Sequence, residues 1–183
     1  MSAARSLLAA WLCLALAGCA GLGVPRSISV TTGELEQRLQ QQLPAPVRVF
    51  DLLELQLLQP RLQTLPAQQR LRTTFTVKAS SPALSARAVE GQLVMEAGLR
   101  FDESDASVSL VQPQLLELSF EQRSVLVTEA QRLVRALAER ALDGMVLYRI
   151  KPEQMQALRA AGARPAGLSV TEDGLVLRFE PAR

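Results

Sequence analysis

Reactive side chains are scarce in this chain, and the scarcity narrows its chemistry before any fold is considered. It contains no histidine. Serine and cysteine nucleophile systems built on imidazole, imidazole general bases and metal sites with a histidine ligand are therefore excluded. No glycine-rich phosphate loop and no pair of closely spaced cysteines is present. Asp102-Glu103-Ser104-Asp105 gathers three carboxylates. It lacks the loop glycine and distal glutamate of a helix–loop–helix calcium site, so an acidic hairpin tip is the simpler reading and calcium the sharper one. Arg132, Arg135 and Arg140 recur on one side of a helical pattern. They form either a solvated face or a face for anionic headgroups. A hydrolase built on paired carboxylates stays open, because pairing in space is not legible in sequence. The expectation is a protein that is not an enzyme, with no cofactor and no metal.

The residue placed to do chemistry is Cys19. Arg5 precedes the apolar run Ser6–Ala17, and the run ends in Leu16-Ala17-Gly18-Cys19. A positive start, an apolar stretch of about a dozen residues and small residues at the end make a secretory signal peptide. The last four residues look like the bacterial lipobox. In that motif Leu16, Ala17 and Gly18 let the backbone enter the lipoprotein signal peptidase. The Cys19 sulfur then carries a diacylglyceryl group, and cleavage falls just before it. The alternative is an ordinary secretory signal with a chance cysteine. Cys13 would leave with the signal, so the mature domain would hold neither a free thiol nor a disulfide. Several acyl chains on one residue, at about 0.8 kcal/mol per buried methylene, make release from a bilayer negligible. Ala20, which is not aspartate, favours the outer membrane by resemblance to sorted lipoproteins. The expected location is the cell envelope, lipid-anchored on the periplasmic side of that membrane. Residues 1–18 are read as signal peptide, 19–27 as acylated cysteine and short tether, and 28–183 as one domain. The tether reaches at most about 25–30 Å.

Net charge is +2, with 4% aromatics. Such a net balance makes no electrostatic case for nucleic acid or for a strongly anionic surface. A monomer is expected, with an envelope protein partner left open. Thr31-Thr32-Gly33-Glu34 reads as a capping box opening a short helix that carries Leu35, Leu39 and Leu43 and stops at Pro44. Strand-like alternation follows over Val47–Gln59, where Asp51 interrupts the apolar side as a bulge, a strand end or a buried functional carboxylate. It recurs over Leu71–Ala79, Val89–Phe101 and Val108–Phe120. Leu57-Leu58-Gln59-Pro60-Arg61-Leu62 echoes Leu110-Val111-Gln112-Pro113-Gln114-Leu115, by chance or as two bends in a curling sheet. Ser124–Asp143 places Leu126, Leu133, Leu137 and Leu142 at helical spacing, which predicts a helix about 30 Å long. Met145–Ile150 reads as a strand, Pro152 opens a brief late helix, and Leu168–Val170 and Leu175–Phe179 flank a turn at Thr171–Gly174. The fold class expected is α+β: a curled antiparallel meander wrapped around one long helix in the C-terminal half, with a short N-terminal helix and a short late helix.

The lipobox, the Ile28–Leu35 segment, the Val94–Phe120 strand pair, Val146-Leu147-Tyr148-Arg149 and Thr171-Glu172-Asp173-Gly174 together resemble the YceB-like bacterial lipoproteins, a family without an assigned reaction. The resemblance covers nearly the whole mature chain. Such proteins are similar to the tubular lipid-binding superfamily, which implies a curled sheet around a long helix with an apolar tube between them. It brings no catalytic residues.

Two function classes follow. The first is a module at the outer membrane that binds a lipid, a fatty acid or another apolar ligand. The second is a structural or adaptor lipoprotein with a closed core. For the first, the candidate lining residues are Phe75 and Val77 on one strand and Leu93, Met95, Leu99 and Phe101 on the next. Leu118 and Phe120 follow on a third, with Leu133 and Leu137 on the helix and Phe179 on the last strand. Periodicity assigns these side chains to apolar faces, and does not say whether those faces meet protein or ligand.

Overall fold

Strand β4 (Arg70–Ser80) shows most plainly how this sequence becomes sheet. From Arg70 to Val77 its residues alternate strictly between half-buried and buried, so Leu71, Thr73, Phe75 and Val77 share one covered face. The computed structural model describes residues 26–43, 45–49, 53–80, 88–120 and 127–182. Before β4 come β1 (Ser27–Thr31), α1 (Thr32–Gln42), β2 (Val47–Val49) and β3 (Leu53–Leu65). After it come β5 (Val89–Asp102), β6 (Ser107–Phe120), α2 (Val127–Leu142), β7 (Val146–Arg149), α3 (Pro152–Ala160), β8 (Ala163–Val170) and β9 (Gly174–Pro181). Two antiparallel sheets result. One runs β2-β3-β4-β5-β6-β7 in chain order, and the other pairs β1 and β8 on either side of β9.

The capping box is formed: the Glu34 amide donates to the Thr31 hydroxyl oxygen, and the Glu34 carboxylate accepts from the Thr31 amide. Pro152 sits in the first turn of α3, where its missing N–H costs no helical bond. Among the described residues, three short α-helices, one 3-10 turn at Pro66–Gln68 and nine strands make the molecule mostly β, with a curled half-barrel sheet.

This corrects the expectation of an α+β meander wrapped around one long C-terminal-half helix. Helix α2 has 16 residues, about 24 Å, and lies against β6 at one edge of the large sheet. Among the described residues, no single helix covers the apolar face. Several short elements supply the cover together: Leu35 and Leu39 of α1, Leu147 of β7, Leu158 of α3, and Leu175 and Leu177 of β9 are all sealed into one apolar cluster with β4 and β5. Strands β1 and β9, from opposite ends of the described chain, pair over five residues to found the second sheet.

The echoed Gln-Pro segments are two bends of one kind. Gln59 and Gln112 take left-handed φ values of 48° and 49°, and each is followed by a buried proline. Pairing with the neighbouring strand shifts at both places. Two residues past each proline, a helix carboxylate takes the free amide of the strand edge. Leu62 donates to Glu36 Oε1 of α1 at 2.7 Å, and Leu115 donates to Glu139 Oε1 of α2 at 3.0 Å. Asp143 also accepts from the Gln112 amide at 3.0 Å. Each of these bonds occupies a strand amide that would otherwise be open to another strand. Among the described residues, no helix is long and apolar enough to cross a membrane.

Candidate functional site

The register of β3 to β6 arranges apolar side chains in rows across the sheet. Phe75 stands opposite Leu93, and Leu93 opposite Leu118. The next row is Leu57, Val77, Gly91 and Phe120, and beyond it come Leu55, Ala79 and Val89. In the other direction Thr73 meets Met95, and Met95 meets Leu115, before Leu71 and Ala97.

Burial is uneven along these rows. Phe75 and Leu93 are fully covered, and Leu71, Val77 and Met95 nearly so. Leu57, Ala79, Leu118 and Phe120 pack against the core but are only half-buried, and Val89 is half-buried too. The apolar face is thus sealed along β4 and the middle of β5 and only half-covered at Leu57, Leu118, Phe120 and Val89, although Leu55 in the outermost row is itself buried. Gly91 shapes the half-covered part. A Cβ there would collide with the Ser119 carbonyl oxygen and stand 2.7 Å from Phe120 Cδ1, so the missing side chain is what lets the Phe120 ring lie across β5. A glycine inside an alternating strand was the available sequence signal for this contact.

The expected lining residues separate into groups. Phe75, Val77, Leu93, Met95, Leu118 and Phe120 come together on adjoining register positions. Leu99 and Phe101 are half-buried at the far end of β5, opposite Leu110 and Val108. Ten residues of strand separate Phe101 from Gly91, about 33 Å. Phe179 is buried on β9 in the other sheet. Leu137 is 36% exposed, which corrects its placement on a covered helix face: α2 turns Ala138 and Leu142 inward instead. The Leu133 side chain, Asp51 and the whole of Leu16–Cys19 lie outside the described residues.

Polar chemistry elsewhere is local. Asp102 Oδ1 accepts from the Ser104 amide and hydroxyl at 2.9 and 2.6 Å, and these bonds hold its carboxyl below the usual aspartate value. Asp105 accepts from Ser107 and pairs with Arg149 at 2.8 Å. Both carboxylates serve a hairpin tip. Among the described residues no group of three or more potential metal ligands gathers. Burial raises the Tyr148 phenol above its ordinary value, against the pull of the Arg38 guanidinium 4.9 Å from its ring centre. On the outer face of β4 and β5, Arg72 donates twice to Glu96 Oε1, at 2.9 and 2.6 Å. Arg70 reaches the Glu96 and Gln112 carbonyls, which ties β4 to the β6 bend.

Residues 30–173 match the family described as "Protein of unknown function (DUF1439)", and the chain belongs to that family. No curated protein matches the sequence. Among solved structures the chain is similar to a lipopolysaccharide binding protein, at 13% identity and a TM-score of 0.35 over 86% of its own length. It spans 41% of that protein. At these values the likeness is a weak one of overall shape and carries no argument about ligand.

Proposed function

We propose that this DUF1439 family member is a lipoprotein, held at the outer membrane by acylated Cys19 and facing the periplasm, that binds one acyl chain or a similar apolar ligand. The observation that carries the reading is the gradient of burial across the curled sheet. A closed core has no reason to leave Leu57, Val89, Leu118 and Phe120 half-open in adjoining rows, beside a fully sealed Phe75 and Leu93. Such a surface suits an alkyl chain, which gains about 0.8 kcal/mol per methylene it removes from water. Ten buried methylenes then correspond to roughly micromolar affinity. The reading includes no turnover, since the chain lacks imidazole and every nucleophile motif.

Two experiments test it. Cys19→Ala should leave unprocessed precursor without acyl mass; mature protein of normal size with no acyl group on the parent chain would contradict the anchor. A fluorescent fatty acid should bind the parent chain and fail to bind Leu57→Arg, which places a charge at a half-open position of the face. Equal uptake by both would contradict the site.

The second reading is an adaptor whose function lies on its outer surface. Leu116, 48% exposed at the second irregularity of β6, and Leu137, 36% exposed on α2, favour it. Loss of a co-purifying envelope protein on changing both to serine, with fatty-acid uptake absent, would select this alternative.

A further inference from the structure

We propose that the end of the small sheet from which the N-terminal segment departs is a docking surface for an anionic lipid membrane, and that it sets how the domain stands on its anchor. The proposal rests on the reading that Cys19 is acylated. The chain enters the described structure at Arg26, whose carbonyl accepts from the Phe179 amide near the end of β9. Ser27 lies opposite Arg178. The last turn of α3 is at the same end, since Gly162 donates to the Arg159 carbonyl and itself accepts from the Ala182 amide. Arg26, Arg159 and Arg178 are exposed, and none has a side-chain partner among the described residues. Arg164 is also there, but Glu180 neutralises it at 2.8 Å.

The opposite end carries the opposite sign. Thr31 pairs with Gly174, and the Thr32 amide donates to the Asp173 carbonyl. Glu172, Asp173 and the capping Glu34 are therefore neighbours, all exposed and none in an ion pair among the described residues. The two ends are the ends of β9, eight residues or about 25 Å apart. That distance is two to three Debye lengths at physiological salt, so a charged surface acts on one end at a time.

The tether reaches no farther than about 25–30 Å, so the domain stays within range of the surface whichever way it turns. The basic end is the end the tether delivers. Each arginine close to an anionic bilayer favours contact by about fivefold, and three together by on the order of 100-fold. Electrostatics and covalent attachment then select the same orientation, with the acidic end facing away from the membrane.

The test uses the full chain, purified with its acyl group and reconstituted in phosphatidylcholine vesicles with and without phosphatidylglycerol. A fluorophore is attached at Ala160→Cys, at the basic end, or at Gly33→Cys, at the acidic end, and a spin-labelled lipid serves as quencher. On anionic vesicles the Ala160→Cys label should be quenched several-fold more than the Gly33→Cys label. The gap should narrow on neutral vesicles, in high salt, and when Arg26, Arg159 and Arg178 are all changed to glutamine. Glu172→Lys with Asp173→Lys gives an independent variant that should narrow it from the other end. A gap indifferent to lipid charge, to salt and to both variants would overturn the proposal. The mass of the N-terminal peptide keeps the two ideas apart. An acyl group on Cys19 with a charge-blind gap removes the docking surface alone, and a missing acyl group removes the anchor and the docking surface together.

Discussion

The two long edges of the large sheet are built alike and closed differently. On the β3 edge a left-handed glutamine and a buried proline bend the strand, and Glu36 of α1 takes the Leu62 amide. Around that bond, α1 drives Leu35 and Leu39 completely into the core. On the β6 edge the same bend recurs at Gln112-Pro113, and Glu139 of α2 takes the Leu115 amide. There the helix leaves Leu137 exposed, and β6 leaves Leu116, next in sequence to Leu115, exposed as well. Each bend hands an edge amide to a helix carboxylate, and among the described residues Leu35 and Leu39 are sealed on the β3 side while Leu116 and Leu137 are exposed on the β6 side. The comparison separates two jobs of a capping helix. Blocking a strand edge takes one or two carboxylates, and sealing a core takes a row of leucines. Among the described residues, Glu36 and Glu139 do the first at both edges, while Leu35 and Leu39 of α1 are covered more completely than Leu137 of α2.

The largest expected effect contrasts the two helices directly. Leu39→Ala empties a sealed position and should cost about 2–5 kcal/mol, whereas Leu137→Ala should fall within about 0.5 kcal/mol of the parent chain. Equilibrium denaturation measures both. Equal losses would mean that α2 is as deeply seated as α1. Next comes Gly91→Val, which forces Phe120 and the β6 backbone away from β5. A loss of about 1–3 kcal/mol is expected, and it should be accompanied by faster amide exchange in β6 beyond Leu115 than in β3. Unchanged β6 exchange would show that the Phe120 contact does not hold that edge.

Removing the carboxylates one at a time sharpens the comparison. Glu36→Ala and Glu139→Ala each strand a backbone donor, and each should cost on the order of 1–3 kcal/mol where the amide stays buried. Because Leu115 is buried and Leu62 only half so, the Glu139 variant should be the worse of the two. A larger loss at Glu36 would reverse the ranking of the edges.

What the sequence made legible was local. The capping box, the alternation in β4 and the proline at the start of α3 each depend on residues within one turn or one strand. The Gln-Pro echo was visible as a repeated string, but its meaning lay in a left-handed glutamine and in glutamates 24 and 26 residues away. Leu137 was misplaced for a related reason. Helical spacing assigns a residue to the apolar side of its own helix, and only the packing of α2 on β6 decides how much of that side is covered. The pairing of β1 with β9 joins the two ends of the domain, a contact that periodicity cannot register.

A smaller effect comes from Tyr148, buried where Arg38 meets β7. Its phenol is raised above the ordinary value of 10.0 by burial, so the folded state holds the proton more tightly than the unfolded state. The linked stability is full below about pH 10 and is lost as pH rises beyond it, because the unfolded chain ionises first. Tyr148→Phe should lose less stability than the parent chain between pH 9 and about 11. Parallel curves would mean that the ring is not effectively desolvated.

The half-open face of β3 to β6 is tested most directly by native mass spectrometry of the full chain purified in mild detergent from the cells that produce it. The account predicts a non-covalent adduct of acyl-lipid mass, one per chain, present on the parent protein and absent from Leu57→Arg. A parent chain with no adduct of acyl-lipid mass and no uptake of added fatty acid would contradict it.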